Sequence, residues 1–352
     1  MTIESTARLA STAISSSREG LATQITDGVY ARLGIEPSAC RIEDRQKSER
    51  DIGYHLTYLA DALWAEDVAL FTNYVTWANV LFHSLKFAPT VLPTTLEVMR
   101  EVIAAALPMD LVGVSSDYLI MGMLEANEKN ATTSSFLEID TPLTGLASQY
   151  MDLLLRGQRH AAVQVILDAV RQGVDVRSIY LDVFQQTQKE VGRLWQTNQI
   201  TVAQEHYCTA VTQFTMSQLY PYIFTSARKD RRMVATSVGG ELHEIGIRMV
   251  ADFFELEGWD TYYLGANTPT DSVVQAVAEH GADLVAISAT LTPHVQKVAA
   301  LVEAIRTMKS RPKVMVGGYP FNISENLWRM VGADATAGDA RTAVQTGERL
   351  VA

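Results

Sequence analysis

The residues best suited to chemistry in this chain are a carboxylate and a histidine two positions apart, Glu241-Leu242-His243, followed by Gly246. A neutral imidazole is a good ligand for a borderline transition metal, and an acceptor on its second nitrogen fixes its tautomer and basicity. A carboxylate two residues earlier can supply that acceptor. The segment therefore has the composition of a metal-ligating loop, and its alternative is an ordinary solvent-exposed loop histidine.

Two further groups of small residues follow this loop at defined distances. Forty-one residues separate Gly246 from Ser288-Ala289-Thr290, and twenty-six separate Thr290 from Gly317-Gly318. Each group follows a β-like apolar run. Small residues are needed where the backbone and a ligand approach closely, so the three groups together indicate one binding site.

The elements around these groups alternate between strand and helix patterns from residue 232 onward. Such alternation predicts a Rossmann-like, doubly wound parallel sheet, which binds ligands outside the carboxyl ends of its strands. The three groups lie at those ends. The predicted strands are 233–238, 260–264, 284–288, 313–316 and 333–336, and the predicted helices are 243–256, 272–280, 295–308 and 323–331.

A helical segment of about 80 residues precedes the predicted sheet. Gly157 and Gly173 act as helix stops, and the short connections favour an up-down four-helix bundle. Trp195 falls at the end of the third helix, and Glu205-His206 lie near the start of the fourth. The four predicted helices are 146–156, 159–172, 178–196 and 202–224.

The first 140 residues are predicted to be helical, with a polar, Ser/Thr-rich lead-in before the helices 51–65, 68–85, 93–107 and 111–126. Residues 54–87 contain eight aromatic side chains. Tyr54, His55 and Tyr58 form a stripe that suits a flat conjugated ligand, and Trp77 is a further candidate for that pocket. A wide core or a dimer face is the open alternative. The predicted domains are 1–140, 141–227 and 228–352.

Composition excludes several classes of protein. The chain has 352 residues, is 47% hydrophobic, and carries a net charge of −11, which argues against nucleic-acid binding. Cys40 and Cys208 indicate neither a disulfide framework nor a thiolate metal site. The sequence shows no signal peptide and no membrane span, so we expect a cytoplasmic protein.

Residues 228–352 resemble the cobalamin-binding Rossmann-like module, whose usual pattern is Asp-x-His-x-x-Gly, Ser-x-Leu or Ser-x-Thr, then Gly-Gly. Glu241 stands where Asp is more usual. The resemblance implies that His243 is the lower axial ligand of cobalt and that Glu241 orients it. The other residues that it places around the cofactor are Leu242, Gly246, Gly265, Ser288, Thr290, Gly317 and Gly318.

The spacing Trp195-x₉-Glu205-His206 resembles the cap bundle of adenosylcobalamin light sensors. The resemblance implies that Trp195 covers the upper face of the corrin and that Glu205 and His206 contact the adenosyl group. Gln196 departs from that family, which has there a histidine that ligates cobalt after illumination. His294 departs from methyl-carrying members of the superfamily, which usually have a hydroxyl residue at that position.

The order of aromatic helical domain, cap bundle and cobalamin module is similar to that of the photocobilins, which bind cobalamin and noncovalent biliverdin. The resemblance implies biliverdin near Tyr54, His55, Tyr58 and Trp77. No cysteine lies among these aromatic residues, so a thioether-linked bilin is not expected there.

The function implied is that of a light-responsive regulatory protein without a catalytic domain. Photolysis of the Co–C bond of adenosylcobalamin would move the cap and change homo-oligomerisation or contact with an effector protein. Two alternatives stay open: a corrinoid methyl carrier that serves separate methyltransferases, and a light-blind cobalamin sensor.

Overall fold

The computed structural model describes residues 5–36, 41–128, 133–138, 140–224 and 226–352. Its contacts divide the chain into two compact units. The first contains the amino-terminal helices together with Leu291–Gln296 and Ile323–Leu327, and the second contains most of the remaining chain. The boundaries predicted at residues 140 and 227 stay predictions. Cys40 lies outside the described residues.

The helices of the first unit pack around a core of aliphatic side chains in which Leu56, Leu59 and Leu63 are buried at helical spacing. Ser5 and Asp67 cap two of the helices by accepting from backbone N–H groups. Two helices precede residue 41, where the sequence predicted only a polar lead-in. The helices are α1 (Thr6–Ser16), α2 (Arg18–Leu33), α3 (Ile42–Trp64), α4 (Val68–Ser84), α5 (Val91–Ala106) and α6 (Met109–Ala126).

The second unit begins with the predicted four-helix bundle, which we call the cap. Tyr150, Tyr180 and Phe184 are fully buried in its core. Its third helix contains a π-helical segment, Ile179–Phe184, and its fourth ends at Gln218, so that the stretch around Pro221 forms a short helix of its own. The helices are α7 (Thr144–Leu155), α8 (Arg159–Arg171), α9 (Val176–Ser178), α10 (Gln185–Gln196), α11 (Val202–Gln218) and α12 (Tyr220–Ile223).

A five-stranded parallel sheet follows, in the order β2-β1-β3-β4-β5. Met233, Phe254 and Trp259 belong to the core cluster of this part of the chain. The predicted fold class is confirmed. The strands are β1 (Arg232–Val238), β2 (Asp260–Thr268), β3 (Leu284–Ser288), β4 (Lys313–Gly317) and β5 (Ala335–Ala337).

The helices that accompany this sheet depart from prediction in two places, one of which is a final helix, Ala340–Leu350, that was not predicted. The single helix predicted over 323–331 is two short helices instead. The helices are α13 (Ile245–Leu256), α14 (Thr270–His280), α15 (Val295–Arg306), α16 (Tyr319–Ile323), α17 (Leu327–Met330) and α18 (Ala340–Leu350). Among the described residues, no helix is both long and apolar enough to cross a bilayer.

Candidate functional site

The carboxylate of Glu241 organises the loop between β1 and α13. Glu241 is fully buried, and its Oε1 lies 2.6 Å from His243 Nδ1 and 3.0 Å from His243 N. Its Oε2 accepts from the backbone N–H of Thr290 at 2.7 Å. One buried carboxylate therefore joins the ends of β1 and β3. These hydrogen bonds satisfy both of its oxygens, which burial would otherwise penalise.

His243 is turned toward solvent, with 59% of its side chain exposed, next to an exposed Leu242. The pKa of His243 is raised, mainly by the hydrogen bond to Glu241, while partial burial opposes this effect. The negative charges of Glu241 and Glu205 add smaller contributions. With Nδ1–H donating to Glu241, the lone pair of Nε2 is the one that can bind a metal.

The small residues of the other two groups meet at the carboxyl ends of neighbouring strands. Ser288 is the register partner of Ser237 on one side and of Gly317 on the other. Gly318 has φ +106°, and an added Cβ would lie 2.0 Å from Ala289 O. Backbone packing alone therefore requires a glycine at this position. The structure brings the predicted residues of three strands together at one edge.

Two more predicted glycines flank His243 differently. Gly265 has φ +80°, and an added Cβ would lie 3.3 Å from Glu244 Oε2. At Gly246, an added Cβ would meet no heavy atom of the described residues within 4 Å apart from those of adjacent residues and the helix's own backbone. The start of α13 beside His243 therefore offers room for a ligand.

The cap residues predicted to cover the cofactor lie at adjacent helix ends. Trp195 is half-buried near the end of α10 and packs against the cap core. Glu205 and His206 lie in the first turn of α11, hydrogen-bonded to each other, and Glu205 Oε1 also accepts from Thr209 at 3.2 Å. The charge of Glu205 also makes the smallest of the contributions that raise the pKa of His243.

The two departures from the related families differ in their surroundings. Gln196 is 7% exposed, so the residue in the place of the light sensors' upper ligand is held in the cap. His294 belongs to the segment Leu291–Gln296, which groups with the first unit.

The candidate bilin residues do not share one environment. His55 is buried, its Nδ1 lies 2.8 Å from the hydroxyl of Tyr74, and burial lowers its pKa to about 4. Tyr58 stacks on Tyr74 with ring centroids 3.8 Å apart. Tyr54 and Trp77 are exposed. His55 therefore contributes to the core of the first unit, whereas Tyr54 and Trp77 lie at its surface, where Trp77 stacks on Tyr74.

Sequence reasoning missed three residues that bond the surroundings of His243 to neighbouring elements. Glu244 and Arg248 bond to the cap, and Asn267, at φ 54°, accepts from Gly240 N through its side chain at 2.6 Å. A charged residue at position 248 within an apolar helix pattern is a signal for a polar contact. Nothing in the sequence marks Asn267.

Comparison with known families identifies two segments of this chain. Residues 231–346 match the B12 binding domain family, and residues 146–220 match a second B12 binding domain family. This chain carries two B12-binding domains. The prediction of a cobalamin-binding protein is confirmed at that level.

Curated relatives of this chain include proteins named as corrinoid proteins. Dimethylamine corrinoid protein 2 of Methanosarcina acetivorans is 30% identical over 130 residues, which are 36% of this chain and 59% of that protein. The dimethylamine corrinoid protein of Methanosarcina barkeri is 29% identical over 123 residues, 34% of this chain and 56% of that protein. The chain thus spans less than two thirds of either relative.

Two further matches each cover 59% of this chain. A corrinoid protein of Desulfitobacterium hafniense is 22% identical over 216 residues, 59% of this chain and 99% of that protein. The solved structure of the Methanosarcina barkeri monomethylamine corrinoid protein has a TM-score of 0.53 and 23% identity, and it covers 59% of this chain and 99% of its own. The latter match supports the fold.

Proposed function

We propose that this protein is a corrinoid carrier that holds cobalamin between the sheet edge and the cap and exchanges its upper ligand with enzymes in separate chains. The observation that carries the proposal is the buried Glu241 carboxylate on His243 Nδ1, at 2.6 Å, which leaves Nε2 for cobalt. The open space around an added Cβ at Gly246 supports the proposal that a ligand lies beside His243. Cobalamin supplies a cobalt ion that can hold one alkyl group.

The residues of this chain would bind, orient and shield that cofactor. His243 would ligate cobalt through Nε2, while Glu241 would fix its tautomer and raise its basicity. The small residues at the ends of β3 and β4 would accommodate the rest of the cofactor, and Trp195 would exclude water from the upper side. The relatives named for methylamines favour a methyl group as the cargo, and we propose no catalytic domain in this chain itself.

Spectroscopy of a His243→Ala variant tests the axial ligand. We expect the cobalamin spectrum to shift toward the base-off or water-ligated form. We also expect the affinity for cobalamin to fall by about tenfold or more, and a tenfold loss corresponds to roughly 1.4 kcal/mol. Glu241→Ala should weaken binding by about 10–100-fold. His280→Ala is the matched control, because His280 ends α14 immediately before β3, at the opposite edge of the sheet. An unchanged spectrum in His243→Ala would contradict the proposal.

The second candidate function is light sensing with adenosylcobalamin. The paired Glu205 and His206 favour it, because a carboxylate and an imidazole can hydrogen-bond a ribose and an adenine, whereas a methyl group offers no such partner. In this function, illumination would release the adenosyl group, move the cap, and change homo-oligomerisation or contact with an effector protein.

A comparison of upper ligands separates the two functions. A light sensor should bind adenosylcobalamin more tightly than methylcobalamin, and Trp195→Ala or Glu205→Ala should remove most of that preference. It should also elute at different volumes in size exclusion before and after green light. Equal affinities and equal elution after confirmed photolysis would favour the carrier or a light-blind sensor.

A further inference from the structure

Three charged residues lie along one face of α13 and its N-cap position, which follow His243 in the chain. Glu244 occupies the N-cap position of α13, where its side chain makes no capping hydrogen bond. Arg248 and Asp252 follow at intervals of four residues, so that the three share the face of the helix that meets the cap. Glu244 and Arg248 both bond to Gln213, and Asp252 bonds to Tyr180. We call these three residues the α13 stripe.

Glu244 connects two elements through its two oxygens. Its Oε1 accepts from Gln213 Nε2 of α11 at 2.6 Å. Its Oε2 accepts from the Tyr263 hydroxyl at 2.9 Å and from Ala266 N at 3.1 Å, both in β2. The residue next to the predicted cobalt ligand is therefore held by the cap and by the sheet together.

Arg248 donates hydrogen bonds to the carboxyl-terminal half of α11. Its Nη1 donates to Gln213 O at 3.0 Å, and its Nη2 donates to Ser217 Oγ at 2.7 Å and to the Tyr220 hydroxyl at 3.1 Å. The guanidinium also lies 5.4 Å from the centre of the Tyr220 ring. A planar, always-charged fork suits such a multiple contact, and lysine cannot reproduce it.

Asp252 reaches the π-helical segment. Its Oδ2 accepts from the Tyr180 hydroxyl at 2.7 Å, and both residues are buried. The stripe thus bonds to α11, α12 and the π-helical segment in turn.

Helix α11 joins the α13 stripe to the residues predicted to cover the cofactor. It runs without interruption from Val202 to Gln218, with Glu205 and His206 in its first turn. Gln213 follows Glu205 by eight residues, a distance of about 12 Å along the axis at 1.5 Å per residue. A displacement of the His243 loop therefore has a continuous, hydrogen-bonded route to the first turn of α11.

We propose that Glu244 and Arg248 are positioning residues that couple the axial-ligand loop to the cap helix. The inference rests on the proposed function of His243 and of the Glu205–His206 pair. Glu244 would keep the loop of His243 at a fixed position relative to Gln213. Arg248 would make α11 move as one rigid body. Ligation at His243 then changes how firmly the first turn of α11 is held, although Glu244 and Arg248 touch neither the metal nor the upper ligand.

Hydrogen exchange of the full chain, with and without cobalamin, tests the coupling. In the wild-type protein we expect cobalamin to slow exchange in the first turn of α11 by about tenfold or more. Gln213→Ala and Glu244→Gln should keep the His-ligated spectrum but lose most of that protection. The matched controls are Gln164→Ala, which loses only a bond within α8, and Arg349→Met, an exposed arginine of α18.

The possible outcomes are distinguishable. Protection equal to wild type in both Gln213→Ala and Glu244→Gln, with the His-ligated spectrum intact, would overturn the coupling. Loss of protection in these variants but not in the controls supports it. A spectrum that His243→Ala leaves unchanged would instead contradict the proposed function. Arg248→Met removes a buried charge and is interpreted only if its circular dichroism matches that of the wild-type protein.

Discussion

At the scale of single residues, the site depends on a carboxylate that water does not reach. Glu241 accepts from two groups of His243 and from Thr290 N, so it sets the position of the ligand before any cofactor arrives. Preorganisation of this kind lowers the ordering cost of binding.

Glycine substitutions can separate space for the cofactor from stability of the fold. Gly246→Ala places a methyl group in open space within a helix, so we expect the free energy of unfolding to stay the same or to rise by up to about 1 kcal/mol. Cobalamin affinity should fall by about tenfold if this space receives the cofactor. Titration of both proteins with cobalamin, together with urea unfolding, measures the two effects.

Gly318→Ala provides the contrast. Its Cβ would collide with Ala289 O and its φ is +106°, so we expect a loss of several kcal/mol of stability in the absence of any cofactor. If Gly246→Ala binds cobalamin as tightly as wild type, the cofactor does not occupy the space beside α13.

Some of these residue contacts follow from sequence and others do not. A carboxylate two residues before a histidine can reach its ring within one loop, so the Glu241–His243 contact was predictable. Thr290 was predicted as a small residue of the site, but it bonds to Glu241 through its backbone N–H. Backbone contacts of this kind carry no side-chain signature.

At the scale of elements, α13 is the helix on which the cap and the sheet meet. Phe253 of α13 lies in the cap core, and Phe254 lies in the core of the sheet. Between these apolar contacts, Asp252 is buried against Tyr180, with Arg248 and Glu255 nearby.

This buried carboxyl predicts a pH dependence of stability. Burial raises the pKa of Asp252 to about 6, against the hydrogen bond from Tyr180 and the charge of Arg248, while Glu255 raises it further. The folded protein therefore binds a proton more tightly than the unfolded chain. The stability contributed by this proton is complete below about pH 4 and is lost as pH rises through about 6.

Asp252→Asn should remove this dependence. We expect the variant to unfold with a free energy higher by roughly 1–3 kcal/mol than wild type at pH 7.5, and with a smaller difference at pH 4.5. The Asn oxygen can still accept from Tyr180. Urea unfolding at the two pH values measures this difference, and a constant offset between the proteins would mean that Asp252 is not the titrating group.

Periodicity predicted the regular elements of the second unit well, because buried strands and an amphipathic bundle leave clear patterns. It missed the final helix, α18, although that helix is amphipathic, and it failed where the pattern is weak. The helices α1 and α2 are rich in Ser, Thr and charged residues, and only their few buried positions mark an inner face. The π-helical segment and the break at α12 depend on packing and on Pro221, and helical periodicity records neither.

At the scale of the whole molecule, the two candidate cofactor sites lie in different units. The corrinoid residues belong to the second unit, and the aromatic residues of α3 and α4 belong to the first. Biliverdin binding stays a prediction. Because no cobalamin residue comes from α3 or α4, changes in these helices should leave cobalamin binding intact.

Coexpression with a haem oxygenase, which supplies biliverdin, tests the second chromophore. If Tyr54, Tyr58 and Trp77 bind the pigment, Tyr58→Ala and Trp77→Ala should reduce a red-absorbing band without changing the cobalamin spectrum. His55→Ala should act differently: the hydroxyl of Tyr74 loses its buried partner, at a cost of about 1–3 kcal/mol to the first unit. Protein that carries cobalamin alone under these conditions would contradict the biliverdin prediction.

The first unit is built from segments that lie far apart in the sequence, and this has a consequence for synthesis on the ribosome. Leu291–Gln296 packs with the amino-terminal helices, and Gln296 Nε2 donates to the buried Asp61 of α3 at 2.5 Å. At about 5–20 residues per second, the stretch between α6 and this segment takes roughly ten to thirty seconds to translate. During that time the side of α3 that the segment later covers stays open. The nascent amino-terminal helices are therefore an expected client of chaperones, and their last contacts form only after most of the second unit has been made.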